Sequence, residues 1–328
     1  MKKRRRSISV PNIGNEDDEA AGPSRSCSRR TSASARTSGL STSSECFDSS
    51  LVGMLVPPHT RRAGKYLLGP KLGVSPVKSI VQCLARLENT DQYFQVKLLT
   101  LYSGSSASSS TSGRSHHVRD ESQDEKQGKM LLHTEHSLLS LLAGMEGVVQ
   151  KHDFFTELCL MEEMAGIKAI YNGRKLRRIC LVLDCLTPND FTNKTQDLVN
   201  LQHHVIREKK LSEREALSIF YNVVCVVEKL HHKNVIHRDL KLGNIVLNLR
   251  SRKITLTNFC LGKHLMNDQD LLKDQRGSPA YISPDVLSGK PYAGKPSDMW
   301  ALGVVLFTML YGQFPFYDSA PHELFQSK

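Results

Sequence analysis

His237-Arg238-Asp239-Leu240-Lys241-Leu242-Gly243-Asn244 sets an imidazole, a guanidinium, a carboxylate, an ammonium and an amide in one short run, and Asn258-Phe259-Cys260 follows a little further on. The two runs lie beyond the point where the sequence changes character. Before it, apolar residues alternate as in strands; around and after it, they recur at helical spacing.

Working back from the run, Tyr66–Gly69 and Ile80–Arg86 read as strands separated by a Gly/Ser/Pro turn. Asn89-Thr90-Asp91 supplies the next turn, and Tyr93–Leu101 reads as a third strand. A serine-rich, then charged, stretch at 103–128 is expected to be a flexible insertion. From Lys129 to Leu142 order resumes, with Leu131, Glu135, Leu138, Leu139 and Leu142 on one face of an amphipathic helix. Two further strands are expected near Phe154–Met161 and Ile179–Leu183.

Working forward, Ser212-Glu213-Arg214-Glu215 has the S-x-x-E form of a capping box. Leu217, Phe220, Val224, Val227 and Leu230 then mark the expected buried face of a long helix. His231 and His232 at its end suit the helix dipole better than they suit a metal. A second buried helix is expected over 297–311, with Pro296 before it and Gly312 after it. The expected class is α+β: a small strand-rich lobe with one helix, then a helical lobe.

The net charge of the 328-residue chain is +11, and residues 1–65 hold 12 Lys and Arg against 6 Asp and Glu. Lys2-Lys3-Arg4-Arg5-Arg6 reads equally as a nuclear address, an acidic-partner patch or a solvated basic tail. No aromatics interleave with the basic residues, so nucleic-acid binding is not expected. Residues 1–62, rich in Ser, Thr, Arg and Gly, lack the large apolar residues of a core and are expected to be disordered. Arg5-Arg6-Ser7 and Arg29-Arg30-Thr31-Ser32 place hydroxyls after paired arginines, which reads as a site for basophilic kinases or as a merely Ser/Arg-rich tail. The eight cysteines form no C-x-x-C pair and no zinc spacing, which predicts neither a disulfide framework nor a structural metal. No apolar segment follows the basic N-terminus, and the apolar run near 299–311 is too short to span a bilayer. An intracellular soluble protein without a membrane partner is expected.

With these landmarks in order, residues 65–328 resemble the eukaryotic protein kinases, and more narrowly a relative of the Tribbles pseudokinases. The first run matches the H-R-D-L-x-x-x-N catalytic loop. The resemblance implies a bilobal protein-kinase-like domain over 63–328. Its N-lobe would span 63–186, with the insertion, and its C-lobe 187–328. It makes Asp239 the acceptor of a substrate hydroxyl's proton, Lys241 a neutraliser of the transferring phosphoryl group and Asn244 a metal ligand. His237 and Arg238 become structural members of the loop. Lys97 on the third strand would pair with Glu135, and nucleotide contacts are implied at Gly73, Ile80, Lys97 and Asp184. Gly277-Ser278-Pro279-Ala280-Tyr281-Ile282-Ser283-Pro284-Asp285 resembles the G-T-P-x-Y-x-A-P-E segment that shapes the peptide platform. Asp285 stands at its glutamate, and Asp298 matches the aspartate that anchors the catalytic-loop backbone.

Three departures bear on the ATP and Mg²⁺ that the resemblance implies. The glycine-rich loop reads Gly73-Val74-Ser75-Pro76-Val77-Lys78-Ser79-Ile80, leaving one of three glycines where backbone N–H groups must approach phosphates. Gln95 stands two residues before Lys97, where a small residue is expected against the adenine. Asn258 replaces the metal-binding aspartate of D-F-G, and a neutral amide is a poorer ligand for a hard divalent cation. Cys260 replaces the glycine of that turn. The expectation is a pseudokinase: a regulatory scaffold for signalling or transcription-control proteins in nucleus and cytoplasm. The alternative is an active serine/threonine kinase. The chain stops at Lys328, where the family's C-lobe continues, so a truncated C-lobe is expected, with part of the 297–311 helix uncovered. Asp285 then has no arginine partner. Tribbles relatives recruit a ubiquitin ligase through a tail beyond the domain, and that role is not carried over to a chain without one.

Overall fold

The computed structural model describes residues 50, 52–54, 61–73, 75, 77–102, 121–165 and 168–316. The basic run, both Arg-Arg-hydroxyl sites and the last residues of the chain lie outside this range. β1 (Arg62–Ala63), β2 (Tyr66–Lys71), β3 (Ile80–Leu87), β4 (Tyr93–Leu101), α1 (Gln123–Leu141), β5 (Lys151–Ala165) and β6 (Lys168–Asp184) come first. The six strands form one antiparallel sheet in the order β1-β2-β3-β4-β6-β5. Alternation along β4 divides its side chains between two cores. Leu99 and Leu101 join Leu131, Leu132 and Leu139 of α1. Val96 and Leu98 join Ala63, Tyr66, Cys83 and Val182 on the other face.

The helix α1 starts six residues before the expected Lys129, inside the supposed insertion, of which residues 103–120 lie outside the described range. Its first turns are polar and carry no apolar period. A cap defines them instead: Ser122 Oγ accepts from the Glu125 N–H at 3.2 Å, and Asp124 and Glu125 complement the dipole. Gly128 lets the helix approach the sheet, since a Cβ there would lie 2.9 Å from Leu99 Cδ1.

The β5–β6 hairpin is far longer than the apolar runs predicted. Its outer part is held by ladder bonds and by charge pairs such as Glu157 with Arg178, which hydropathy alternation does not register. Beyond β4 the edge of β6 is free for other backbone. Gly53 donates to the Tyr171 carbonyl at 2.8 Å, and Tyr171 donates to that of Met54 at 3.0 Å. This part of the supposed tail is therefore tied to the sheet.

β7 (Leu198–Asn200), α2 (Leu201–Glu208), α3 (Glu213–His232), β8 (Val235–Ile236), β9 (Ile245–Asn248), β10 (Ile254–Leu256), β11 (Lys263–His264), β12 (Leu271–Leu272), α4 (Pro284–Leu287), β13 (Tyr292–Ala293) and α5 (Gly294–Tyr311) complete the chain. At the start of α3, Ser212 Oγ accepts from Glu215 N–H at 3.3 Å. The Glu215 carboxylate does not return to the cap; it accepts from Arg252 and bonds His204 instead. The buried stripe of α3 is Ala216, Ile219, Val223, Val226, Val227 and Leu230. Val227 and Leu230 are buried as expected, while nearer the helix start the expected residues stand one position off: Phe220 and Val224 are half-buried, and Leu217 faces solvent. Both series follow helical spacing, and only the packing of α3 on α5 and the small β10-β9-β7 sheet chooses between them. α5 ends at Gly312 with φ +70°, where any Cβ would meet the Lys209 carbonyl oxygen at 1.8 Å. Met299 and Tyr311 of α5 are exposed, while Trp300 stacks on Phe316.

The described cysteines are free thiols, and no helix among the described residues is long and apolar enough to cross a membrane.

Candidate functional site

A cleft of about 480 Å³ opens between the sheet and the helical half. Gln82 and Gln95 line its sheet side, Leu183, Leu186 and Pro188 its rear, and Asn244, Val246, Thr257 and Asn258 the opposite wall.

Strand geometry fixes the sheet side. Gln82 of β3 pairs directly with Lys97 of β4, and Gln95 lies two residues along, so all three share one face. Gln95 Nε2 donates to Gln82 Oε1 at 2.5 Å, closing an amide bridge across the surface against which a flat ligand would lie. Ile80, expected to contact nucleotide, is buried with Leu99, Leu131 and Leu132 instead. The β3–β4 register gives the cleft position to Gln82, which reading the residues alone missed; its parity with Lys97 across the hairpin was the available signal. Gly73 does line the cleft, with φ +57°. Just past it Val77 is drawn into the core, so this segment is anchored downward near its middle.

Lys97 and Glu135 meet as expected. The ammonium donates to both carboxylate oxygens, at 2.9 and 2.7 Å, and Glu135 is completely buried. Lys97 also lies 3.5 Å from Asn258 Oδ1. Asn258 takes the left-handed conformation, φ 66° and ψ 61°, which asparagine tolerates better than most residues. Its neighbours settle the orientation of the amide. Lys97 and the Cys260 thiol, both donors, face Oδ1. Asn244 Oδ1 and Asp239 Oδ2, both acceptors, face Nδ2 at 3.4 and 3.5 Å.

That polarity is the reverse of a metal site. Two oxygens that could converge on a cation converge here on an N–H₂ group, and the single oxygen of Asn258 is turned to Lys97. No group of three or more His, Cys, Asp or Glu with metal-holding geometry occurs among the described residues. The donor set does not fit Mg²⁺, and the bridged glutamines with a lone loop glycine do not fit the adenine and phosphates of ATP. Burial pushes the Cys260 thiol up to about 12, so it remains a neutral donor.

The Asp239, Lys241 and Asn244 side chains of the catalytic loop are engaged with their neighbours. Asp239 is buried; its Oδ1 accepts from Ser278 Oγ at 2.8 Å, and its Oδ2 from Asn244 Nδ2 at 2.8 Å. Lys241 lies 3.1 Å from Asp239 Oδ2 and donates to Ser278 Oγ at 2.7 Å. His237 is fully buried, accepting from the Asp239 N–H at Nδ1 and reaching the Thr257 carbonyl through Nε2, which assigns the proton to Nε2. Its ring lies 4.7 Å from that of Phe259. Arg238 has φ 65°, a strained value for a bulky residue. Asp298 holds it there by accepting the N–H groups of His237 and Arg238, both at 2.9 Å, and by bonding His231 Nε2 at 3.0 Å.

One expected residue falls elsewhere. The Asp184 carboxylate turns out of the cleft, accepting from the Gln150 N–H at 3.0 Å and meeting His152 Nε2 at 2.6 Å. The strand's alternation sends Leu183, its neighbour, into the cleft instead. Asp285 is exposed on α4, and its carboxylate makes no ion pair among the described residues.

A strand sheet with a buried Lys–Glu pair, a histidine-anchored loop and a following left-handed turn define a protein-kinase fold. The protein kinase domain family model matches residues 113–328, and the chain belongs to that family. Among curated proteins it is similar to serine/threonine-protein kinase 40 of Gallus gallus, of Xenopus tropicalis and of Homo sapiens. Each is 62% identical over 270 residues, 82% of this chain. The chain spans 59, 58 and 59% of the length of those relatives, respectively. The family uses ATP and Mg²⁺.

Proposed function

We propose that this chain is a pseudokinase, a regulatory scaffold that holds signalling or transcription-control proteins on a kinase fold. The observation that carries the reading is the orientation of Asn258, whose amide nitrogen faces the oxygens of Asn244 and Asp239. A site arranged this way satisfies itself without a cation. The Gln82–Gln95 bridge supports the same reading from the adenine side. The platform segment stays joined to the loop through Ser278, as a protein-binding surface requires.

The second reading, an active serine/threonine kinase passing the ATP γ-phosphate to protein hydroxyls, is favoured by the assembled Lys97–Glu135 pair beside Asp239, Lys241 and Asn244. A phosphotransfer assay separates the two. Equal background from wild type and Asp239→Asn supports the scaffold; activity in wild type that Asp239→Asn abolishes supports the kinase.

The partners proposed are proteins, with no nucleic acid and no membrane. A link to a ubiquitin ligase belongs to the longer relatives of the resemblance and is not proposed for these residues. Residues 2–6 are proposed to direct nuclear entry alongside a cytoplasmic pool. Unchanged localisation after their replacement by alanine would count against it.

A further inference from the structure

From Phe259 to Gly277, the segment between the metal-site turn and the platform, the sequence contains no serine, threonine or tyrosine. The segment is nevertheless fastened along its length. Lys263 and His264 of β11 pair with β8, and Leu271 and Leu272 of β12 pair with β13. Lys295 bonds Asp268 at 2.5 Å. The strongest tie lies at Asp274. Its Oδ1 meets Arg238 Nη2 at 2.7 Å, and its Oδ2 meets Arg276 Nε at 2.7 Å. Its carbonyl accepts from the Tyr292 hydroxyl at 2.9 Å and from Arg238 Nη2 at 3.3 Å. The Arg238 side chain is only 7% exposed, and its Nε has no partner, so Asp274 supplies its counter-charge.

Kinase segments of this kind are commonly ordered when a phosphate added to a hydroxyl pairs with an arginine. Here the arginine is present and the hydroxyl is not. We propose that Asp274 is a permanent counter-ion of Arg238, so that the peptide platform at 277–285 keeps its shape without phosphorylation.

The arrangement has the chemistry such a clasp needs. Burial works to raise the carboxylate's pKa, and the Arg238 and Arg276 guanidinium groups outweigh it and hold the group below its ordinary range, keeping it ionised, as a phosphate would be. Just beyond it Gly277, at φ +129°, passes so close to the Arg238 carbonyl oxygen that a Cβ would lie 3.0 Å away. The clasp therefore sets the height at which the chain enters the platform. Ser278, the first hydroxyl reached, is engaged by Asp239 and Lys241, and a phosphate there would face the Asp239 carboxylate. The inference does not depend on whether a nucleotide enters the cleft.

Amide hydrogen exchange over residues 263–276, measured on the whole chain from a eukaryotic host, tests it, with the 213–232 helix as fold control. Exhaustive phosphatase treatment is expected to leave the segment's exchange unchanged. Asp274→Asn is expected to speed it roughly tenfold, the scale of losing a half-exposed charge-assisted pair, with the control helix unaffected. Loosening by phosphatase, or wild-type exchange in Asp274→Asn, would overturn the proposal. If Asp274→Asn does not fold, Asp274→Glu decides: protection close to wild type supports a required carboxylate, and fast exchange contradicts it.

Discussion

The Lys97 ammonium, fully engaged with Glu135, lies 3.5 Å from an amide oxygen of Asn258, where the family's motif has a carboxylate. One negative charge is thereby missing from a buried cluster, and the amide's nitrogen faces the oxygens of Asn244 and Asp239. The fold is assembled as for phosphoryl transfer, while the groups that would receive the reactant are satisfied among themselves.

Restoring the charge alone is expected to fail. Asn258→Asp should show no stabilisation by ATP with Mg²⁺ in a thermal-shift titration, because Gln82 and Gln95 still bridge the cleft. Asn258→Asp combined with Gln82→Val and Gln95→Ala should show it. A clear shift from the single variant would mean that the bridge is no obstacle.

The bridge is expected to matter little for stability. One hydrogen bond between half-buried amides contributes about 0.5–1.5 kcal/mol net. Urea unfolding of Gln95→Ala should fall within about 1 kcal/mol of wild type by that measure.

Glu135→Ala should be far more damaging. It leaves the ammonium of Lys97 buried without its partner, and breaking a buried pair on one side costs about 3–5 kcal/mol. Replacing both residues with apolar side chains should recover much of that loss, which a double-mutant cycle in urea would measure.

Much of this was legible in advance. β4 was placed residue for residue, because Tyr93–Leu101 is a run rich in aromatic and aliphatic residues that follows the turn at Asn89-Thr90-Asp91. Lys97, Glu135, Asp239, Asn244, Asn258 and Asp298 came together because their order along the chain specifies the fold. What stayed hidden depends on pairings between distant segments. The position of Gln82 follows from hairpin register, and that of Asp184 from which side of β6 turns toward Gln150. The amide orientation of Asn258 is set by Cys260 two residues on together with Asp239, Asn244 and the far-removed Lys97. The polar start of α1 and the charged outer β5–β6 hairpin lack the apolar periodicity that reveals elements in a sequence.

Asp298→Ala should destabilise the chain by about 3 kcal/mol or more, since two buried N–H groups lose their acceptor at about 1–3 kcal/mol each and Arg238 is held in a strained conformation. Urea unfolding would show it, and a change under about 1 kcal/mol on the same scale would contradict the role assigned to this carboxylate.

The Cys260 thiol should resist iodoacetamide at pH 8 in the folded chain and react once the chain is unfolded. With the folded pKa raised from 9.0 to about 12, its contribution to stability is whole below pH 9 and is lost as pH rises toward 12. Mass-spectrometric mapping of labelled cysteines would check this.

The most direct test is a thermal-shift titration of the wild-type chain with ATP, alone and with Mg²⁺ or Mn²⁺. An unchanged melting temperature at millimolar nucleotide, with or without metal, is the predicted result. A metal-dependent rise that saturates with ATP would show that the cleft takes the reactant, and would contradict the pseudokinase reading.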